Sequence, residues 1–76
     1  MTRKDTAMGL IGAEYDKAIA KHTPMNSAHE GYAVLLEELD ELWEEIKKQK
    51  PDNEKMIREA TQVATMAMRF IVDVCL

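Results

Sequence analysis

Apolar and polar positions follow a helical beat along most of the chain, and the beat breaks at two places. From Asp5 to Lys21, the residues Met8, Ile11, Tyr15, Ala18 with Ile19, and His22 recur every three or four positions, which predicts a helix with that face buried. Thr23-Pro24 stops it, because a residue before proline is pushed out of the α region. Ser27 and Glu30 then have the S-x-x-E form of a capping box, which starts a second helix. In it Ala28, Tyr32, Leu35, Leu39, Leu42 and Ile46, broadened by Leu36 and Trp43, make an apolar stripe. Pro51-Asp52-Asn53 makes the second break, with Asp52 or Asn53 as N-cap of a third helix. Its core face is Met56, Ala60, Val63, Ala67, Phe70 and Val74.

No segment alternates with period two, so the expected class is all-α: three helices of about twenty residues, each about 30 Å long. The short second turn predicts that the second and third helices form an antiparallel αα-hairpin. Gly9 and Gly12 either permit close approach of another helix or ligand, or simply weaken the first helix.

Length and charge narrow the function classes. The 76 residues allow one domain, residues 1–76, and so small a domain buries only about 60% of its unfolded surface. With few aromatics to fill a core, part of the apolar surface is expected to be buried against another copy, giving an oligomeric helical bundle. A net charge of −4 leaves no basic stripe for a nucleic-acid backbone. The longest apolar run, Val63 to Leu76, is interrupted by Arg69 and Asp73 and is too short to span a bilayer. No signal peptide is visible, and a cytoplasmic protein is the expectation. The lone Cys75, between Val74 and Leu76, reads as a small hydrophobe, and the six methionines as gap-fillers between helices.

The candidate chemistry lies in Glu37–Ile46, where six of ten residues are acidic. Glu38, Glu41 and Glu45 fall at i, i+3 and i+7 along one flank of the apolar stripe, while Glu37 and Glu44 point towards solvent. Their repulsion costs roughly 0.2–0.5 kcal/mol per close pair, which something positive would offset. On the third helix Lys55, Glu59, Gln62, Met66, Arg69 and Asp73 form a second strip, and a hairpin can set Glu59/Gln62 opposite Glu38/Glu41. Carboxylates converging from two helices, with no Cys or His cluster near, make a hard-oxygen site suited to Mg²⁺, with Mn²⁺ as the alternative. The competing reading is an acidic, solvated face.

Ser27–Glu45 followed by Glu59–Phe70 resembles the MazG-like all-α nucleoside triphosphate pyrophosphohydrolase superfamily, and within it the short phage and bacterial MazG-related proteins. The signature of that superfamily is E-x-x-E on one helix and E-x-x-D on the next. Glu38 and Glu41 match the first half, and Glu59 the glutamate of the second, with Gln62 where an acid is expected. The resemblance covers about two-thirds of the chain, from Ser27 to Asp73. It implies Mg²⁺-dependent hydrolysis of an NTP or dNTP between the α- and β-phosphates, giving the monophosphate and pyrophosphate. It also implies a homodimer or homotetramer of helical hairpins with substrate sites near the subunit interfaces.

Carried over residue by residue, Glu38, Glu41 and Glu59 would be the catalytic metal ligands. Gln62 would add a neutral oxygen and remove one unit of charge, which Glu45 or Asp73 could supply. Lys55 and Arg69 share the strip of Glu59 and are candidates to hold substrate phosphates, or else form i,i+4 pairs with Glu59 and Asp73. Members of the family often carry a further helix beyond the third. The amide at Gln62 and that shorter end favour an alternative, a catalytically weakened module that binds nucleotide or metal; a purely structural bundle is the third option. His22 and His29 read as surface or terminus residues, and Tyr32 and Trp43 as packing residues, with base stacking as the alternative.

Overall fold

The protein, described here over residues 1–76 from a computed structural model, contains three helices and no strand. Helix α1 spans Arg3–Lys21, α2 Ala28–Ile46 and α3 Asn53–Phe70, and α3 runs on into a π-helical turn, Ile71–Cys75. No helix is long and apolar enough to cross a membrane.

Each helix starts on a side-chain cap. Thr2 Oγ1 accepts from the Asp5 amide and the Asp5 carboxylate accepts from the Thr2 amide, each at 3.1 Å. This complete capping box starts α1 at Arg3, two residues before the expected Asp5. At α2 the expected box is half made. Ser27 Oγ accepts from the Glu30 amide at 3.1 Å, but the Glu30 carboxylate reaches past Ser27 to the Asn26 amide at 3.3 Å. Asp52 is the cap of α3, accepting from the Glu54 and Lys55 amides at 2.9 and 3.4 Å.

Helix α3 packs against both other helices, while α1 and α2 barely meet, so the molecule is a thin slab of 37 × 30 × 19 Å. Only six residues are buried, and the apolar ones, Ala18, Met25 and Met66, gather at one end with Val34, Leu35, Phe70 and Val74 around them. There the α1–α2 connection is clamped. Arg69 Nη2 donates to the Thr23 carbonyl at 2.9 Å, and the Met25 amide donates to Asp73 Oδ2 at 3.0 Å. Arg69 and Asp73 themselves form an i,i+4 pair at 3.9 Å, almost fully buried. Beside the clamp, Gly31 sits directly on the Phe70 ring, and a Cβ there would lie 2.5 Å from Phe70 Cδ2.

Several expected core positions are not core. In α1, Ala18 is buried and Ile11 and Tyr15 are half-buried, but Met8, Ile19 and His22 are exposed. The reason is that α1 has only α3 to pack on, so its covered face is narrow. A Cβ at Gly9 or Gly12 would meet nothing within 4 Å, so neither glycine serves a close approach within the chain. In α2, Tyr32 and Trp43 are exposed rather than packed, as are Leu36, Leu39 and Ile46. Cys75 is exposed as well.

Candidate functional site

Which side of α2 faces α3 decides the site. Successive residues turn by roughly 100° around a helix axis. The positions of α2 that lose solvent are Gly31, Val34, Leu35, Glu38, Leu42 and Glu45. That set is centred roughly 80° away from the middle of the apolar arc, towards the acidic flank. Helix α3 therefore covers one edge of the apolar stripe and the glutamates beside it. A purely solvated acidic face does not describe Glu38, which is half-buried with Oε2 shielded from solvent and lacking any hydrogen-bond partner.

Glu59 of α3 is half-buried opposite, and Glu41 completes the group from the rim. One carboxylate oxygen from each of Glu38, Glu41 and Glu59 lies within 4.8 Å of the others. No cation of the chain forms an ion pair with them, and only the charge of Arg58 offsets part of the repulsion, at Glu59. The nearby lysines are spent elsewhere, Lys47 on Glu44 and Lys48 on Glu45, each at 2.9 Å. The electrostatic result is plain in Glu38, whose carboxyl is pushed from 4.5 up to about 7 by burial, then by the charge of Glu41, a hydrogen bond shared with Glu41, and the charges of Glu59 and Glu37. With both carboxyls ionised that contact has no proton and Glu38 Oε2 is orphaned; a proton on Glu38 lets it donate to Glu41. Glu59 is raised by burial and by the charges of Glu41 and Glu45, with Arg58 opposing.

The arrangement fits a divalent cation of the Mg²⁺ type. Its donors are all carboxylate oxygens, they come from two helices, and one is a buried oxygen without a donor. Either a proton or a cation relieves that electrostatic cost.

The other candidate residues are placed differently. Gln62 turns towards α1, its Nε2 donating to Glu14 Oε1 at 2.8 Å. Glu14 is thus an additional carboxylate beside the strip, and it lines a cleft of about 270 Å³ with Lys17, Lys21, His22 and Gln62. Nothing in the spacing of α1 marks Glu14, since its partner lies 48 residues away. Of the two acids expected to replace the missing charge, Glu45 stays close enough to raise Glu59 but is held by Lys48. Asp73 is committed to the Met25 amide and to Arg69. Arg69 anchors the connection through Nη2, yet its Nε is buried without a hydrogen-bond partner. It lines a cavity of about 300 Å³ that also holds Glu38, Thr23 and His22. Lys55 is exposed and lines none of the clefts; only its backbone amide is tied, to Asp52. His29 borders a shallow depression with Ala28, Tyr32 and Phe70, away from the carboxylates.

No family model, no curated protein and no solved structure matches this chain.

Proposed function

We propose that the Glu38–Glu41–Glu59 group is a Mg²⁺ site and that the protein is a nucleoside triphosphate pyrophosphohydrolase. The observation that carries this reading is the inward turn of α2, which buries a glutamate against two others while leucines and a tryptophan of the same helix stay in solvent. A bundle held together only by its apolar faces gains nothing from that rotation. In this reading Glu38, Glu41 and Glu59 hold the cation, and α2 and α3 act as an antiparallel hairpin in a homo-oligomeric bundle. The short Lys47–Asp52 connection at one end, and the Gly31–Phe70 contact at the other, support that hairpin.

Bound Mg²⁺ would supply neutralisation of phosphate oxygens and activation of an attacking water. The chain's own residues have the remaining tasks. Arg69 lines the same cavity as Glu38, and its Nε makes no hydrogen bond and faces only Asp73 at 3.9 Å, so its guanidinium is the cation placed to meet a phosphate oxygen there. Gln62, fixed through Glu14, sets the neutral border of the group on the α1 side.

Incubation with each NTP and dNTP in turn, with Mg²⁺ or Mn²⁺, tests the reading by following release of pyrophosphate and monophosphate. Turnover that disappears in Glu38→Gln is expected. No product from any nucleotide at high protein concentration would overturn the catalytic assignment.

One observation favours a second reading, a nucleotide- or metal-binding module without turnover. Gln62 stands where the resemblance places an acid, and its amide is engaged with α1. This reading predicts that Mg²⁺ or nucleotide raises the melting temperature without hydrolysis, and that Gln62→Asp creates hydrolysis. Hydrolysis by the unaltered chain would exclude it.

A further inference from the structure

The outward side of α2 carries an inference that stands whether or not the chain is a catalyst. Tyr32, Leu36, Leu39, Trp43 and Ile46 follow one another at steps of four, three, four and three, which is the spacing of a coiled-coil seam. All five are exposed, Tyr32 at 64%, Leu39 at 51% and Trp43 at 55%. They form a continuous ridge about 21 Å long at the helical rise. Nothing in the chain reaches over it, because α3 lies on the other edge of the apolar arc and α1 lies beyond α3.

The surface area says how much is missing. The chain exposes 5784 Å², whereas a compact monomer of 8.7 kDa exposes about 4,700 Å². Its radius of gyration is 13.1 Å against about 11.4 Å for a compact chain of this length. The excess of about 1,000 Å² matches the roughly 800 Å² that each partner buries in a stable pair. We infer that the Tyr32–Leu36–Leu39–Trp43–Ile46 ridge is the surface through which two copies of this chain associate.

A second copy fits the ridge better than the other occupants. A seam with this repeat is complementary to itself, as a two-fold interface requires. A membrane surface is disfavoured, because Glu37, Asp40 and Glu44 lie on the ridge's own helix and an anionic bilayer would repel them. The proposal goes beyond the hydrolase reading by fixing the face used, and it leaves the carboxylate group open on the opposite flank of α2.

Trp43 is the only tryptophan and is one of the five ridge residues, so it reports the contact directly. Sedimentation equilibrium of the metal-free protein over a wide concentration range, with Trp43 emission read on the same samples, is the test. The expected result is a mass of twice 8.7 kDa, with emission moving to longer wavelength as dilution releases the monomer. Leu39→Glu is expected to raise the dissociation constant by about 30-fold or more. If Leu39→Glu unfolds, a wild-type melting temperature that climbs with protein concentration supports the proposal, and one that does not overturns it. A monomer mass at every concentration overturns it, as does a Leu39→Glu or Trp43→Glu protein that keeps the wild-type mass. Melting with nucleotide, run separately, reports on the carboxylate site without touching this outcome.

Discussion

The two flanks of α2 invert the usual arrangement of a small helical protein. On one flank Glu38 is half-buried against Glu59, with an oxygen that is shielded from solvent and faces no donor of the chain. On the other, Leu39 and Trp43, one and five residues further on, stand in solvent. A rotation of α2 by roughly 80° would reverse both and improve the isolated chain on each count. That the helix sits as it does shows that its packing is set by features other than apolar burial within one chain. Two of these are visible. The Arg69–Thr23 and Asp73–Met25 hydrogen bonds anchor the entry to α2, and Gly31 lets its first turn lie on Phe70. Together they fix the rotation from the N-terminal end, and the glutamates follow in phase.

The largest expected effect is on the inward flank. If the carboxylates hold the catalytic cation, Glu38→Gln lowers nucleotide turnover by at least about 100-fold, as loss of a ligand should. The same assay on Glu44→Gln, an exposed glutamate paired with Lys47, should give wild-type rates. Equal rates in Glu38→Gln and wild type would remove the inward flank from the chemistry.

Breaking the anchor comes next. Arg69→Ala strips the Thr23 carbonyl of its donor and leaves Asp73 buried without its cation, and should cost about 2–4 kcal/mol in urea unfolding. A change below about 0.5 kcal/mol would mean the clamp does not hold α2. Gly31→Ala is smaller. The Phe70 ring must move away from the new methyl, at about 1–3 kcal/mol. Because the shift tilts the start of α2, it should also weaken Mg²⁺ binding more than an equally destabilising change at the exposed Leu10 end of α1.

The smallest effect is the response to pH. The carboxyl of Glu38 lies near 7 in the folded protein against 4.5 as a free group, and Glu59 is displaced the same way. A raised pKa means that folding favours the protonated form, so its contribution is complete below pH 4.5 and is lost as pH rises through about 7. Metal-free protein should therefore lose stability between pH 5 and 8, by on the order of 1–2 kcal/mol once solvent screening is allowed for. Glu38→Gln should flatten that slope, and Mg²⁺ should reverse it by replacing the proton. A metal-free stability that rises over this range would contradict the electrostatics of the group.

Much of this was legible in the residues. The helices and their breaks follow from periodicity and from Pro24 and Pro51, and the meeting of Glu38, Glu41 and Glu59 follows from i,i+3 spacing plus a short turn. What the pattern could not supply is phase. An apolar arc is ordinarily assumed to point its centre at the core, and for α2 that assumption misplaces Tyr32, Leu39 and Trp43, because α3 takes the arc by its edge. Arg69 and Asp73 were legible as a pair, but not as the clamp on Thr23 and Met25, since loop carbonyls and amides leave no mark in a side-chain pattern. The Gln62–Glu14 bond joins helices whose relative register no local spacing encodes.

The central claim is that the inward glutamates are held together for a cation. Thermal melting at pH 8 with Mg²⁺, and with NaCl at matched ionic strength, on wild type and Glu38→Gln, tests it most directly. The account predicts that Mg²⁺ raises the wild-type melting temperature well beyond the NaCl control. It predicts no such rise in Glu38→Gln, which without metal melts above the wild type because the repulsion is gone. A wild type indifferent to Mg²⁺, or a variant that gains as much from it, would contradict the account.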